Sequence, residues 1–149
     1  MEGVIFMGLQ ASGKSSFYLA RFYHTHLRLN LDMLKTRHRE KRLFEACLEA
    51  KQSLVIDNTN PTPADRARYI PALGAAGFAV VGYYFRSSLA ECLGRNAQRQ
   101  GKTRILEVGV RATHGKLVRP RYAEGFDRLY YVVAKDGQFQ VKEWRDEIL

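Results

Sequence analysis

An apolar run, Val4-Ile5-Phe6, leads directly into Gly8-x-x-x-x-Gly13-Lys14-Ser15 within the stretch MGLQASGKSSF (7–17). No other feature limits the fold as much, because this pattern works only with a buried strand before it and a helix after it. Its glycines reach backbone angles closed to other residues, so successive N–H groups turn inward around an anionic ligand. The lysine brings a point charge to the β- and γ-phosphates of a nucleotide, and the following hydroxyl can ligate a magnesium ion. The expected cradle comprises Gly8, Gln10, Ala11, Ser12, Gly13, Lys14, Ser15 and Ser16. ATP with Mg2+ is its expected ligand.

The rest of the chain alternates between two periodicities. Strands are predicted at 3–7, 27–29, 53–57, 78–85, 128–133 and 139–144. Helices are predicted from the glycine loop to Phe22, over about 33–50, from Pro63 or Ala64 to 74–77, over 89–99, and over about 105–117. In the second of these, Phe44, Cys47 and Leu48 should face inward while TRHREKR (36–42) is mostly solvated. In the last, Leu106, Val110 and Leu117 should share one side. Such alternation implies right-handed crossovers and a mostly parallel sheet with helices on both faces, a three-layer α/β arrangement. One domain is expected over residues 1–149, large enough for a single core.

Charge narrows the partners. The chain carries 24 Lys and Arg against 15 acids, a net charge of +9. Residues 21–42 hold seven basic and two acidic side chains, and residues 86–121 hold nine and two. These windows carry +5 and +7, which leaves −3 for the remainder. A basic excess confined to two segments fits either a polyanion-binding surface or ordinary solvated helix faces. No run of 18 apolar residues is present, so no membrane-spanning helix is expected. Met-Glu-Gly opens with an acid and too short an apolar run for a signal peptide, and two cysteines with no Cys-x-x-Cys fit a reducing, cytoplasmic setting. Cys47 and Cys92 stand far apart as free thiols, and His24, His26, His38 and His114 have no zinc-ligand spacing. No stable protein partner is evident.

A phosphate loop alone leaves ATPase, GTPase and kinase open. The guanine-reading Asn/Thr-Lys-x-Asp is missing, and motor ATPases usually need a longer chain. The basic stretch RNAQRQGKTR (95–104) fits a small kinase, in which a mobile helical lid at about 95–105 brings arginines to the transferred group.

Five stretches, GLQASGKSSF, NLDMLKTR, VIDNTNPTPADRARYI, RNAQRQGK and AEGFDRLYYV, together resemble, in that order, the kinase domain of the polynucleotide 5′-kinases of nucleic-acid end repair. The resemblance covers nearly the whole chain, and DNTNP followed by an arginine-bearing helix is its most particular element. It implies a P-loop kinase fold and transfer of the ATP γ-phosphate to a terminal 5′-hydroxyl of DNA or RNA. By resemblance Asp32 contacts the nucleophilic hydroxyl, orienting it more than deprotonating it, because a loose transition state needs little proton removal early. A first-turn helix acid is the alternative reading of Asp32. Asp57 ends a buried strand, where an acid has no packing reason to be, and is expected beside Ser15 at the metal; a turn-starting residue is its alternative. Arg99 matches the family's lid arginine, with Arg95 one turn earlier. Lys35, Arg37, Asn58 and Arg66 are expected near the acceptor; Arg66 and Arg68, after the DNTNP turn, are placed to approach either acceptor or nucleotide phosphates. Lys35 stands where the family places an arginine, a point charge in place of a fork. The segment Arg119-Pro120-Arg121-Tyr122 carries less proline than the family. Phosphatase Asp-x-Asp-x-Thr and ligase lysine motifs are not found, so a kinase part alone is expected. Two rivals remain: a small-molecule kinase acting on a nucleoside, sugar or antibiotic, and a nucleotide-binding switch.

Overall fold

Strand β1 (Glu2–Met7) is buried along nearly its whole length, as a strand covered on both faces must be. In the computed structural model, which describes residues 1–145, it lies between β3 (Leu54–Ile56) and β4 (Ala79–Phe85), parallel to both. The last four positions of the expected 1–149 unit fall outside the described residues. Beyond β3 lies β2 (Leu27–Leu29), and beyond β4 lies β5 (Arg128–Lys135), both parallel to their neighbours. β6 (Gln138–Glu143) pairs antiparallel to β5 at the far edge. The order is β2-β3-β1-β4-β5-β6. Chain winding reverses at β1, and such a reversal opens a crevice at the carboxyl ends of the strands.

The period of two along β1 sorts its side chains between two cores. Ile5 and Met7 join Leu54, Ile56 and Val80 on the face covered by α3 (Arg37–Ala50) and α5 (Ile70–Ala75), through Phe44, Cys47, Ile70 and Leu73. Val4 and Phe6 join Val55, Val81 and Phe85 on the face covered by α1 (Lys14–Arg21). There Phe17 sets its ring 5.8 Å from Phe6 and 5.4 Å from Phe85, tilted or edge-on. Edge-to-face aromatic pairs add about 0.5–1.5 kcal/mol each to area burial. This cluster anchors α1, and so fixes where the glycine loop ends.

Two predicted helices are each split. The expected 33–50 helix is α2 (Leu31–Leu34) followed by α3, because two capping residues compete within six positions. The Asn30 side chain accepts from Met33 N at 3.0 Å, and Thr36 Oγ1 accepts from Arg39 N at 3.1 Å. Lys35, between them, takes a left-handed φ of 74°. The helix expected from residue 63 is α4 (Pro63–Arg66), opened by a Thr62–Asp65 capping box, and then α5. Pro71 lacks the N–H that a continuous helix would bond to Ala67. On the far side, α6 (Leu89–Gln98) and α7 (Glu107–Lys116) are joined through a short 3-10 turn at Gly101–Thr103. Val110 is buried as expected, but Leu106 precedes the first turn of α7 and is 78% exposed. Within the segment expected to be solvated, Glu40 is buried.

Candidate active site

The glycine loop leaves β1 at the crevice and is tied to its neighbours by backbone bonds. Gly8 N donates to Thr59 O at 3.0 Å, and Leu9 N donates to Ser87 Oγ at 3.0 Å. Gly8 and Gly13 adopt φ of 149° and 103°, and a Cβ on Gly8 would come within 3.1 Å of the Phe85 carbonyl oxygen. Both glycines are therefore required by geometry. Ala11 also has a positive φ, 64°, a strained position for a residue with a Cβ. Lys14 opens α1 with its side chain buried, and its Nζ donates to the carbonyls of Gly8 at 3.0 Å and Leu9 at 2.6 Å. Burial pulls the Lys14 ammonium down from 10.5 to about 8, against the opposing pull of Asp57. Ser12 is buried beside it, Ser16 is exposed, and Gln10 Nε2 donates to Thr113 Oγ1 on α7 at 3.0 Å.

Directly after β3, the Asp57 carboxylate is 1% exposed. The Ser15 hydroxyl donates to its Oδ2 at 2.9 Å, so the two expected metal ligands are together. Sequence reasoning missed a third member. Arg28, on β2, donates through Nε to Asp57 Oδ2 at 2.8 Å and through Nη2 to Ser15 Oγ at 3.0 Å.

Asp32 lies exposed in the first turn of α2. Four residues make too short a helix to hold itself, so its position depends on tethers. Asn30 Nδ2 donates to Asp57 O at 2.6 Å, while Asn58 Oδ1 accepts from Leu31 N at 2.9 Å. Asn58 in turn donates to Glu40 Oε2 at 2.9 Å. Glu40 also accepts from Tyr69 Oη and Arg37 Nη1, both at 2.9 Å. Asn58 thus connects the DNTNP turn to α2, and Arg37 is occupied by Glu40 and Tyr69, not turned toward an acceptor. Burial, reinforced by Glu40, pushes the Tyr69 phenol well above its ordinary value, which keeps it a hydrogen-bond donor. Lys35 stays exposed at the end of α2.

Arg95 reaches the glycine loop from α6, and Arg99, the residue after that helix, turns to the 3-10 turn. Arg95 donates to Ala134 O at 2.9 Å and Ala11 O at 3.3 Å, and Arg99 donates to Thr103 O at 3.2 Å. Asn96, between them and buried, pairs twice with the backbone of Ile105, at 2.6 and 2.9 Å, so it fixes the far end of the turn. Ser15 bonded to Asp57, Asn30 bonded to the Asp57 carbonyl and Arg95 bonded to Ala11 O bring the loop, the Ser15–Asp57 pair, α2 and α6 together. Arg66 is a correction. It is 0% exposed, forked onto Glu124 at 2.8 and 3.2 Å, and donates to Asn60 O and Val118 O at 3.0 Å. Its donors are spent beneath the DNTNP turn, so it is removed from the acceptor set, whereas Arg68 is exposed. Arg66 sits at i, i+3, i+4 and i+7 with the buried Tyr69, Ile70 and Leu73, a stripe that could have marked it as inward-facing. Glu40 shares the Phe44–Cys47 stripe of α3 in the same way.

Residues 30–119 match the family model described as AAA domain. The bifunctional polynucleotide phosphatase/kinase of Schizosaccharomyces pombe is 26% identical over 138 residues, which cover 90% of this chain and 34% of that protein. This chain therefore spans about a third of that relative's length. A gluconokinase from Sinorhizobium meliloti superposes with a TM-score of 0.63 at 19% identity, over 91% of this chain and 85% of that one. The Mycobacterium tuberculosis APS kinase CysC, solved with AMPPNP and APS, superposes with a TM-score of 0.53 at 18% identity, over 80% and 83%. These structural likenesses show a kinase-type P-loop fold.

Proposed function

The chain belongs to the AAA-domain family, and from that premise we propose that it is an ATP-dependent phosphotransferase that moves the γ-phosphoryl group to the 5′-hydroxyl end of a polynucleotide. The observation that carries the transfer reading is the convergence at Lys14. Ser15, next to it, bonds Asp57, whose carbonyl takes Asn30 at the head of the Asp32 helix, and Arg95 reaches Ala11 of the same loop, so donor-side, metal-side and acceptor-side groups adjoin in this reading. For the acceptor class, the support is the 26% identity to the polynucleotide phosphatase/kinase over 90% of this chain, with the two basic windows.

In this reading the loop N–H groups and Lys14 hold the donor phosphates in a fixed, desolvated frame. Ser15 and Asp57 offer hard oxygen donors 2.9 Å apart, the ligand type that Mg2+ prefers. A magnesium ion there would neutralise charge on the phosphoryl oxygens. Asp32, held by Asn30 and Asn58, accepts a hydrogen bond from the acceptor hydroxyl and aims it in line. Arg99 and Arg95, on the lid segment, oppose the negative charge of the group in transit. Lys35, exposed beside Asp32, faces the acceptor's own phosphates.

Part of the basic excess is spent inside the protein. Arg28 is paired with Asp57, and Arg95 donates to the carbonyls of Ala11 and Ala134. That pairing favours a second reading, a small-molecule kinase with a neutral acceptor. The Asp32→Asn variant tests the transfer reading. It should lower single-turnover transfer by about 10²- to 10³-fold, in the range of acid–base contributions, with nucleotide affinity unchanged. Equal losses in both, or none in either, would return Asp32 to a capping role.

A further inference from the structure

We infer that Arg28 is a built-in counter-cation for the Ser15–Asp57 pair, one that must release both oxygens before a metal–nucleotide complex can seat there. The inference rests on reading Ser15 and Asp57 as the metal pair. Its basis is a closed triangle: Ser15 Oγ to Asp57 Oδ2 at 2.9 Å, Arg28 Nε to the same Oδ2 at 2.8 Å, and Arg28 Nη2 to Ser15 Oγ at 3.0 Å. The guanidinium takes a lone pair on Asp57 Oδ2 and one on Ser15 Oγ, two oxygens that a metal held by this pair would draw on.

Burial explains why such a cation is needed. The Asp57 side chain is 1% exposed, and an ionised carboxylate that deep is costly without a charged partner. β2 supplies one because its register sets Arg28 opposite Val55, two residues before Asp57. The arginine fork spans two oxygens, so one side chain offsets the Asp57 charge and holds the Ser15 hydroxyl. Two cations cannot share the oxygens, because they repel one another at these distances. Departure is open to it. The side chain is 27% exposed on an edge strand, and its guanidinium carbon lies 5.9 Å from the centre of the Tyr18 ring, whose face can hold a cation. A magnesium–nucleotide complex brings the charge to displace Arg28; free nucleotide does not. Arg28 would thereby raise the Mg2+ concentration that binding of the metal-bound donor requires, because its release is part of the cost of seating the metal.

The test compares wild type with Arg28→Gln and Arg28→Lys, using Mg2+ alone and ATP titrated at graded Mg2+. In EDTA, Arg28→Gln should melt below wild type, and Mg2+ alone should raise its melting temperature more than that of wild type. The Mg2+ concentration for half-maximal ATP binding should fall roughly three- to tenfold, the effect of removing a partly exposed charge-assisted contact. Arg28→Lys, which keeps the charge but loses the fork, should lie between the two, and it carries the comparison if Arg28→Gln fails to fold in EDTA. An unchanged or increased Mg2+ requirement in both variants, with no extra protection by Mg2+ alone, overturns the inference. If wild type bound no ATP while Mg2+ alone still protected Arg28→Gln more strongly, the donor reading would fall and the counter-cation would stand.

Discussion

Lys14→Met should make the protein more stable while abolishing nucleotide binding. The wild-type ammonium is buried, and its fall from 10.5 to about 8 corresponds to about 3 kcal/mol of penalty on the charged form. Methionine keeps the length and apolar body of the side chain and removes that penalty. It also forfeits the bonds to the Gly8 and Leu9 carbonyls, about 1 kcal/mol each. The balance is a gain of about 1 kcal/mol at pH 7. The pH dependence supplies the sharper signature. Below pH 8 the lysine is charged in both folded and unfolded chains, and the penalty is present in full. Between about 8 and 10.5 the folded protein releases the proton while the unfolded chain keeps it, so wild-type stability rises with pH. Across pH 7 to pH 10 the difference between the two proteins should therefore swing by about 2.5 kcal/mol in favour of wild type. Other titrating groups are common to both proteins and cancel. Urea unfolding of both at the two pH values measures it, with an ATP titration alongside. A stability difference independent of pH, or a variant weaker by more than about 1 kcal/mol at pH 7, would refute a desolvated lysine held ready for phosphate.

Arg66→Lys keeps the charge but loses the fork onto Glu124 and the two carbonyl contacts. Breaking such a buried network should cost about 3 kcal/mol in urea unfolding, and a loss below about 1 kcal/mol would mean Arg66 is not the anchor of the DNTNP turn. If the exposed lysines and arginines line an acceptor groove, oligonucleotide binding should weaken with salt at a log–log slope of roughly −1.5 to −3. Lys35→Ala should flatten that slope by about 0.7 for a single strand, leaving ATP affinity alone; an unchanged slope would take Lys35 out of the acceptor set.

What the amino-acid sequence revealed, and what it hid, divides along one line. Loop and strands follow from local signals: an apolar run, two glycines with a lysine, a period of two; the strand order β2-β3-β1-β4-β5-β6 has no such signal. Asp57 was legible because a carboxylate at the end of an apolar run has no packing role. Arg66 and Glu40 were misread for the converse reason, since charged residues are expected in water while their helical spacing placed them on buried stripes. Asn96 follows the same pattern, one turn beyond the buried Cys92 on α6. Both helix breaks were written in the caps Asn30 and Thr36 and in Pro71, but periodicity alone runs through them. Arg28 had no local signal at all. Its partners lie 13 and 29 residues away, and only the β2–β3 register brings them together.

Phosphate transfer from γ-labelled ATP, run with equal concentrations of a 5′-hydroxyl oligonucleotide, the matching free nucleoside and gluconate, decides which acceptor the site serves. Label should appear on the oligonucleotide's 5′ end, at a kcat/KM at least about tenfold above either small acceptor, a difference of about 1.4 kcal/mol in transition-state binding. A folded Lys14→Met protein should lose that label. Preferential labelling of the nucleoside or gluconate would contradict the polynucleotide assignment, and undiminished transfer by Lys14→Met would contradict the site itself.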